Sequence, residues 1–195
     1  PYGWLEDYDP DWTPNTTDAQ GKRYRFKNQP DIAMWNLIQL ANAIYPLIDD
    51  APALEEILND ADVNFVVNYR KMCQDKLGLT CKYENQFHDD LESNLMASET
   101  DMTIFYRNLA AILKSDTSEE ALNKVAFSFY NPNEIEGKLK ENWLQWFQIY
   151  LDKLNSESTS QEERKLAMNA TNPKYVLRNY MAQLAIEAAE KEDYT

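Results

Sequence analysis

The chain has 195 residues, of which 44 % are apolar, 27 % charged and 12 % aromatic, enough for one domain, or one and a fraction, with a substantial core. Only 4 glycines occur, against about 14 at average usage, which disfavours a turn-rich β-sandwich and a glycine-rich phosphate loop. With 33 acidic and 19 basic residues the net charge is −14 and the pI near 4.5, so phosphate backbones and anionic membranes are repelled and neither nucleic acid nor a membrane is expected as a partner. Walker-type and Rossmann fingerprints do not occur. No run reaches the length of a membrane span; the longest apolar stretch, Ile32 to Ile48, is interrupted by Asn36, Gln39, Asn42 and Pro46. The opening Pro-Tyr-Gly-Trp has no initiator Met, no charged region and no apolar core, which predicts a piece of something longer. Cys73 and Cys81 have no His partner at zinc-site spacing and read as reduced thiols, hence a cytoplasmic location. Asn15-Thr16-Thr17 and Asn169-Ala170-Thr171 match the glycosylation pattern, a match common by chance.

Residues 1 to 28 carry loop chemistry: Gly3, Pro10, Pro14 and Gly21, with Asp7, Asp9, Asp11 and Asn15 between them. Trp4, Tyr8, Trp12, Tyr24 and Phe26 in the same stretch predict a loop pinned onto a body. After Pro30 the period is helical. In Ile32 to Ile48, 13 of 17 residues are apolar, which predicts a central, buried helix. Asp50 and Pro52 start the next helix, with Leu54, Ile57, Leu58, Ala61, Phe65, Tyr69 and Met72 at helical spacing and a stop at Leu77-Gly78-Leu79. Asp60 to Asp62 leaves open whether that stretch is one helix or two. A helix from Glu84 to about Ala97 faces inward with Phe87, Leu91 and Leu95. Met102 to Leu113 does so with Phe105, Leu109 and Ile112.

Thr117-Ser-Glu-Glu120 is a capping box opening a helix through Phe129. Asn131-Pro132-Asn-Glu134 leads into a stripe of Ile135, Leu139, Trp143, Phe147, Tyr150 and Leu154. Ser156 to Ser160 links to a short helix opened by Thr159 to Glu162 and ending near Ala170. Last, Asn172-Pro173 is expected to cap a helix that buries Val176, Leu177, Tyr180, Leu184 and Ala188. The sum is about eight helices, no convincing strand and no repeat: an all-α fold.

Candidate chemistry is sparse. His88-Asp89-Asp90-x-Glu92 puts His88 and Glu92 on one helical face, inside a stretch from Tyr83 to Tyr106 with six acids and no Lys or Arg. A metal would need further ligands from elsewhere, so a solvated acidic face is the plainer reading. Lys174 with Arg178, and Lys22-Arg23-x-Arg25-x-Lys27, could each hold a carboxylate or phosphate. In so acidic a chain they pair internally, the 22 to 27 cluster being the better partner contact. Trp143 and Trp146-Phe147 read as core. Cys73 as a nucleophile lacks a nearby base, and no Ser-His-Asp set can be assembled. The residues themselves yield no catalytic, cofactor-binding or metal residue.

Three segments are more specific. Pro1-Tyr2-Gly3-Trp4-Leu5-Glu6-Asp7-Tyr8-Asp9-Pro10-Asp11 resembles the Pro-Phe-Gly-Phe-x-x-x-Tyr-Asp-Pro block of the selenoprotein O (YdiU) family. Tyr24-x-Phe26-x-Asn28-Gln29-Pro30-x-Ile32-x-x-Trp35-Asn36-Leu37-x-x-Leu40-Ala41 is similar to its next block. Asn172-Pro173-Lys174-Tyr175-Val176-Leu177-Arg178-Asn179-Tyr180 resembles its C-terminal signature, continued by Ala182-Gln183 and Ala185-Ile186. Met72-x-x-x-Lys76-Leu77-Gly78-Leu79 and Phe105-Tyr106-Arg107 are weaker echoes.

The resemblance implies a protein-kinase-like fold that transfers AMP from ATP to hydroxyls on proteins, with magnesium. The family's catalytic base, nucleotide-holding residues and metal ligands lie upstream. The last of them heads an Asp-Tyr-Gly-Pro motif whose Pro corresponds to Pro1, so no catalytic residue transfers to this chain. Residues 1–28 would be activation-segment-like. Residues 29–195 would be the remainder of a helical C-lobe to about 98, followed by a C-terminal helical extension over about 99–195. ATP and magnesium would belong to the parent, and the partners would be the upstream half of the polypeptide and the parent's protein substrates. Self-association through apolar surface around Trp4, Tyr8 and Trp12 is also expected. Pro14 stands where many relatives have Cys, which removes that loop thiol from any redox control. A stand-alone acidic helical interaction module is the alternative.

Overall fold

A computed structural model describes residues 7–13, 16–18 and 20–194. The expectations at Trp4, Pro14 and Asn15 fall outside those residues. Among the described residues the fold is all-α: eight α-helices, short 3-10 turns, and two isolated β-bridges in place of any sheet. The chain divides into two compact units, Pro10–Cys73 and Pro1–Asp9 with Gln74–Thr195.

In the first unit a looped segment leads into two long helices. The loop is pinned as its aromatics predict: the Phe26 and Lys27 amides donate to Trp12 O and Pro10 O at 2.9 and 3.0 Å, and Trp12, Tyr24 and Phe26 are half-buried. Helix α1 (Gln29–Ile48) begins at the Asn28-Gln29-Pro30 sequence, where proline's fixed φ and missing N–H suit a first turn. It stops where Asp49 turns left-handed at φ 52°. Helix α2 (Ala51–Leu77) is one continuous helix, started by the Asp50 carboxylate on the Ala53 amide at 3.1 Å and not broken at Asp60 to Asp62. The expected central burial of α1 is not found. No residue of α1 is buried, and Trp35 and Leu47 are 43 % and 86 % exposed. A helix that is apolar on all sides can bury only the strip its neighbours cover, and from Ile32 to Ile48 only Ile32, Met34, Ala41 and Ile44 are even half-buried.

The second unit is built around α6 (Gly137–Ser156), with α3 (Asn85–Ala97), α4 (Met102–Leu109), α5 (Ser118–Val125) and α7 (Gln161–Thr171) in the same unit. Most of its expected stripe is the core: Trp143, Phe147, Tyr150 and Leu154 have no exposed surface, with Trp146 beside them, while Leu139 and Ile135, the latter ahead of the helix, are half-buried. Aromatic bodies with polar tips need partners inside. The Trp146 indole N–H donates to Phe87 O and the Trp143 N–H to Ser98 Oγ, each at 3.0 Å, while the Tyr150 hydroxyl donates to Leu77 O at 2.7 Å. Phe87, Leu91, Leu95, Phe105, Leu109 and Ile112 are buried as their spacing predicts.

Local chemistry sets the helix ends. Thr117 and Glu120 form the expected capping box, and a second one uses Ser160 and Glu163, one residue later than expected. Helix α4 ends at Leu109, not Leu113, because Ala111 and Ile112 close tighter turns and the Asp116 carboxylate takes the Leu113 amide at 2.7 Å. Helix α5 ends at Val125, with a 3-10 turn Ala126–Ser128 completing the stretch. Asn131-Pro132 starts only the 3-10 turn Pro132–Glu134.

Asn172-Pro173 does not cap the last helix. Asn172 is instead the C-cap of α7, and its buried amide group is used elsewhere, so residues 173–178 run without helix and α8 (Asn179–Glu190) starts after Arg178. Leu177, Tyr180 and Leu184, expected inside, are exposed.

Candidate functional site

The basic cluster at 22 to 27 turns toward its own unit. Asp11 Oδ1 lies 2.8 Å from Lys27 Nζ and 3.5 Å from Arg25 Nε, and Lys22 Nζ donates to Asp11 O at 3.3 Å. The hydrogen bond from Lys27 holds the Asp11 carboxyl below the usual carboxylate range. The Arg23 guanidinium sits 4.1 Å from the Trp35 ring centre, a cation-π contact that fixes the loop on α1. Asp18 accepts the Gly21 and Arg23 amides at 3.1 and 2.8 Å, closing the turn between them. Internal pairing is what the charge balance predicted.

His88 Nε2 and Glu92 Oε1 meet at 3.4 Å on one face of α3, and the Tyr83 ring stacks on the imidazole. His88 is the first cause that lowers the Glu92 pKa, partial burial opposes it, and a hydrogen bond from Tyr8 adds to it. Asp90 accepts from Gln86 at 2.7 Å. Among the described residues no group of three or more His, Cys, Asp and Glu could hold a metal ion. Cys73 is buried and Cys81 half-buried, neither in a disulfide; burial, then the Glu157 carboxylate, pushes the Cys81 thiol up, away from nucleophilic character.

The C-terminal signature has the most elaborate polar geometry. The Asn172 side-chain amide donates to Lys76 O at 2.9 Å and Tyr106 O at 3.3 Å, joining the ends of α2 and α4 to that of α7. Arg107 Nη1 donates to Asn169 O and Asn172 O, both at 2.8 Å. Arg178 pairs with Asp101 at 2.8 Å, whereas Lys174 lies over the Tyr175 ring at the surface. Thus the two basic residues of the signature separate, one into an ion pair and one into solvent.

Three buried polar groups were not singled out from the sequence. Glu157 accepts the Thr80 and Cys81 amides at 2.7 and 2.8 Å. Arg164, 2 % exposed, donates to Ile112 O, Tyr150 Oη, Gln161 Oε1 and Met168 Sδ. Asp101 caps α4 through the Ile104 amide at 2.9 Å. Glu157 and Arg164 resemble ordinary surface residues in a polar window; only their distant partners set them apart. Asp101 alone carried a readable signal, an acid immediately before an apolar helical run. Each of these arrangements satisfies backbone groups.

The family model described as protein adenylyltransferase SelO matches residues 1–195. The chain belongs to the SelO family. It is 56 % identical over 197 residues to a protein nucleotidyltransferase YdiU of Flavobacterium johnsoniae, with all of this chain and 38 % of that protein covered. Against the YdiU proteins of Rhodopirellula baltica and Aromatoleum aromaticum identity is 44 % and 42 %, over 99 % and 100 % of this chain and 38 % and 37 % of theirs. The chain spans less than two fifths of the length of these relatives.

A nucleotidyltransferase family implies a nucleotide and a metal, and the described residues do not fit the metal. Beyond the lack of a three-ligand cluster, Gly78 is used for close packing: at φ +66° its missing Cβ would fall 2.5 Å from Met168 Sδ. Among the described residues no helix is long and apolar enough to cross a membrane.

Proposed function

We propose that this chain is the C-terminal helical part of a cytoplasmic protein adenylyltransferase with a kinase-like fold, which transfers AMP from ATP to Ser, Thr or Tyr hydroxyls of protein substrates. Magnesium and ATP bind in the upstream part of the polypeptide, where the metal neutralises phosphate charge. Residues 1–28 serve as the activation-segment-like loop, residues 29 to about 98 complete the helical lobe, and the remainder is a C-terminal extension. No residue of this chain acts on the substrate. The observation that carries the reading is the family match across every residue of a chain that spans less than two fifths of its relatives. The surface of α1 and α2 supports it: Trp35, Leu40, Leu47, Ile57, Val63 and Val67 are exposed, as expected of helices whose partner is the rest of the same polypeptide. That surface would equally serve a stand-alone interaction module, which the family match disfavours.

A thermal melt with millimolar Mg-ATP tests the reading. A ligand at a hundredfold excess over Kd stabilises by about 2.7 kcal/mol. The 195-residue chain should show no shift. The full polypeptide should show a saturable one and transfer AMP to protein. A saturable shift from the chain alone would place a nucleotide site within it.

A further inference from the structure

We propose that the Asp101–Arg178 ion pair is a latch that holds the C-terminal arm, residues 173 to 194, and couples it to the segment carrying Tyr8. The proposal is independent of the catalytic reading. Arg178 Nη2 lies 2.8 Å from Asp101 Oδ2, with both side chains largely buried. The other polar atoms of Asp101 are also engaged. Oδ1 accepts the Ile104 amide at 2.9 Å, the backbone N–H donates to Ser128 O at 2.8 Å, and the carbonyl accepts the Phe105 amide at 2.9 Å. One residue earlier, Thr100 O accepts the Tyr8 amide at 2.8 Å, and Asp7 bridges to Asp101. Four separated stretches therefore meet at Asp101: residues 7–8, the start of α4, Ser128 and Arg178.

Packing does little for the arm itself. No residue of α8 is buried; its Tyr180, Met181 and Leu184 are exposed, as is Leu177 in the run before it. A helix of 12 residues is marginal without tertiary support. Removing one partner of a desolvated pair leaves the other charge stranded, so the bond is expensive to break from either side. The Asp101–Arg178 pair is thus the largely buried polar tie that anchors the arm within this chain. Because Asp101 also sits in the bridge to Asp7, loosening the arm loosens the Tyr8 segment, and the converse holds by linkage.

Hydrogen exchange on the full polypeptide tests the latch with Arg178→Met, Asp101→Asn and, as a control, Lys174→Met. Asp101→Asn keeps an oxygen for the Ile104 amide, so α4 stays capped while the charge is lost. Exchange in residues 179–190 and at the Tyr8 amide should rise together by about tenfold or more in both latch variants. The α6 amides should stay protected, Lys174→Met should match the parent, and Arg178→Lys should recover part of the protection. The latch is overturned if α8 is unaffected, or if α8 is freed while Tyr8 stays protected. Equal loosening of α6 in both variants, which would make the pair a plain core contact, also overturns it.

Discussion

Helices α1 and α6 are the same length, 20 residues, and both are rich in large apolar side chains, yet they end in opposite circumstances. In α6 the apolar residues form one stripe, and Trp143, Trp146, Phe147 and Tyr150 vanish into a core of stacked and edge-on rings. In α1 they occur on all sides and none is buried. Periodicity tells which side of a helix wants cover; it does not tell whether the cover lies within the same 195 residues. A stripe is satisfied by one layer of neighbours. A helix apolar all round needs neighbours on every side, and in this chain Trp35, Leu37, Leu40 and Leu47 stay open to solvent.

The largest test of this contrast is a pair of tryptophan truncations. Trp146→Ala removes a ring stacked on Phe87 and Tyr150 and the donor to Phe87 O, and should cost about 3–5 kcal/mol in urea or thermal unfolding. Trp35→Ala, at a half-open site, should cost about 1 kcal/mol or less in this chain, chiefly through the lost Arg23 contact. The same Trp35 change in the full polypeptide should cost severalfold more if the rest of the chain covers α1. Equal costs at Trp35 and Trp146 in the isolated chain would break the comparison.

A smaller effect separates close packing from conformation alone. Gly78 and Gly137 both have positive φ, +66° and +51°. A Cβ at Gly78 would meet Met168 Sδ at 2.5 Å and Cγ at 2.7 Å, whereas at Gly137 nothing lies within 4 Å. Gly78→Ala should therefore add overpacking to backbone strain and cost about 2–4 kcal/mol. Gly137→Ala should cost about 1 kcal/mol, from strain alone. Melting of the two variants side by side checks the ranking, and similar losses would mean that the tight packing beside α7 relaxes freely.

What could be read from the sequence follows the range of the forces involved. The Thr117–Glu120 capping box, the Gly78 stop and the α6 stripe are local, and each is where its spacing puts it. The absence of sheet among the described residues follows from the same periodicity. What escaped were roles set by partners far along the chain. Asn172 is a good N-cap by type, but its side chain reaches Lys76 O, 96 residues away, and Tyr106 O, 66 residues away. Local propensity lost to the need to satisfy two buried carbonyls at the ends of α2 and α4. Arg178 reads as one of the chain's internally paired cations, yet its partner Asp101 is not legible, because an ion pair across 77 positions leaves no spacing to count.

The smallest expected effect lies on the arm that this reassignment leaves exposed. With Asn172 engaged elsewhere, Leu177 falls in the extended run before α8 and keeps 44 % of its surface in water. A buried leucine truncated to alanine costs about 2–5 kcal/mol, part of it for the cavity left behind. At Leu177 no enclosed cavity can form, and only part of the transfer free energy is at stake, at about 0.8 kcal/mol per buried methylene. Leu177→Ala should thus cost about 1 kcal/mol or less in this chain and match Lys174→Ala, whose ammonium rests on the exposed Tyr175 ring. Chemical denaturation of the two variants with the parent as reference decides it. A loss of several kcal/mol at Leu177 alone would mean that the stripe through Tyr180 and Leu184 packs against this chain, and would move α8 from the α1 side of the comparison to the α6 side.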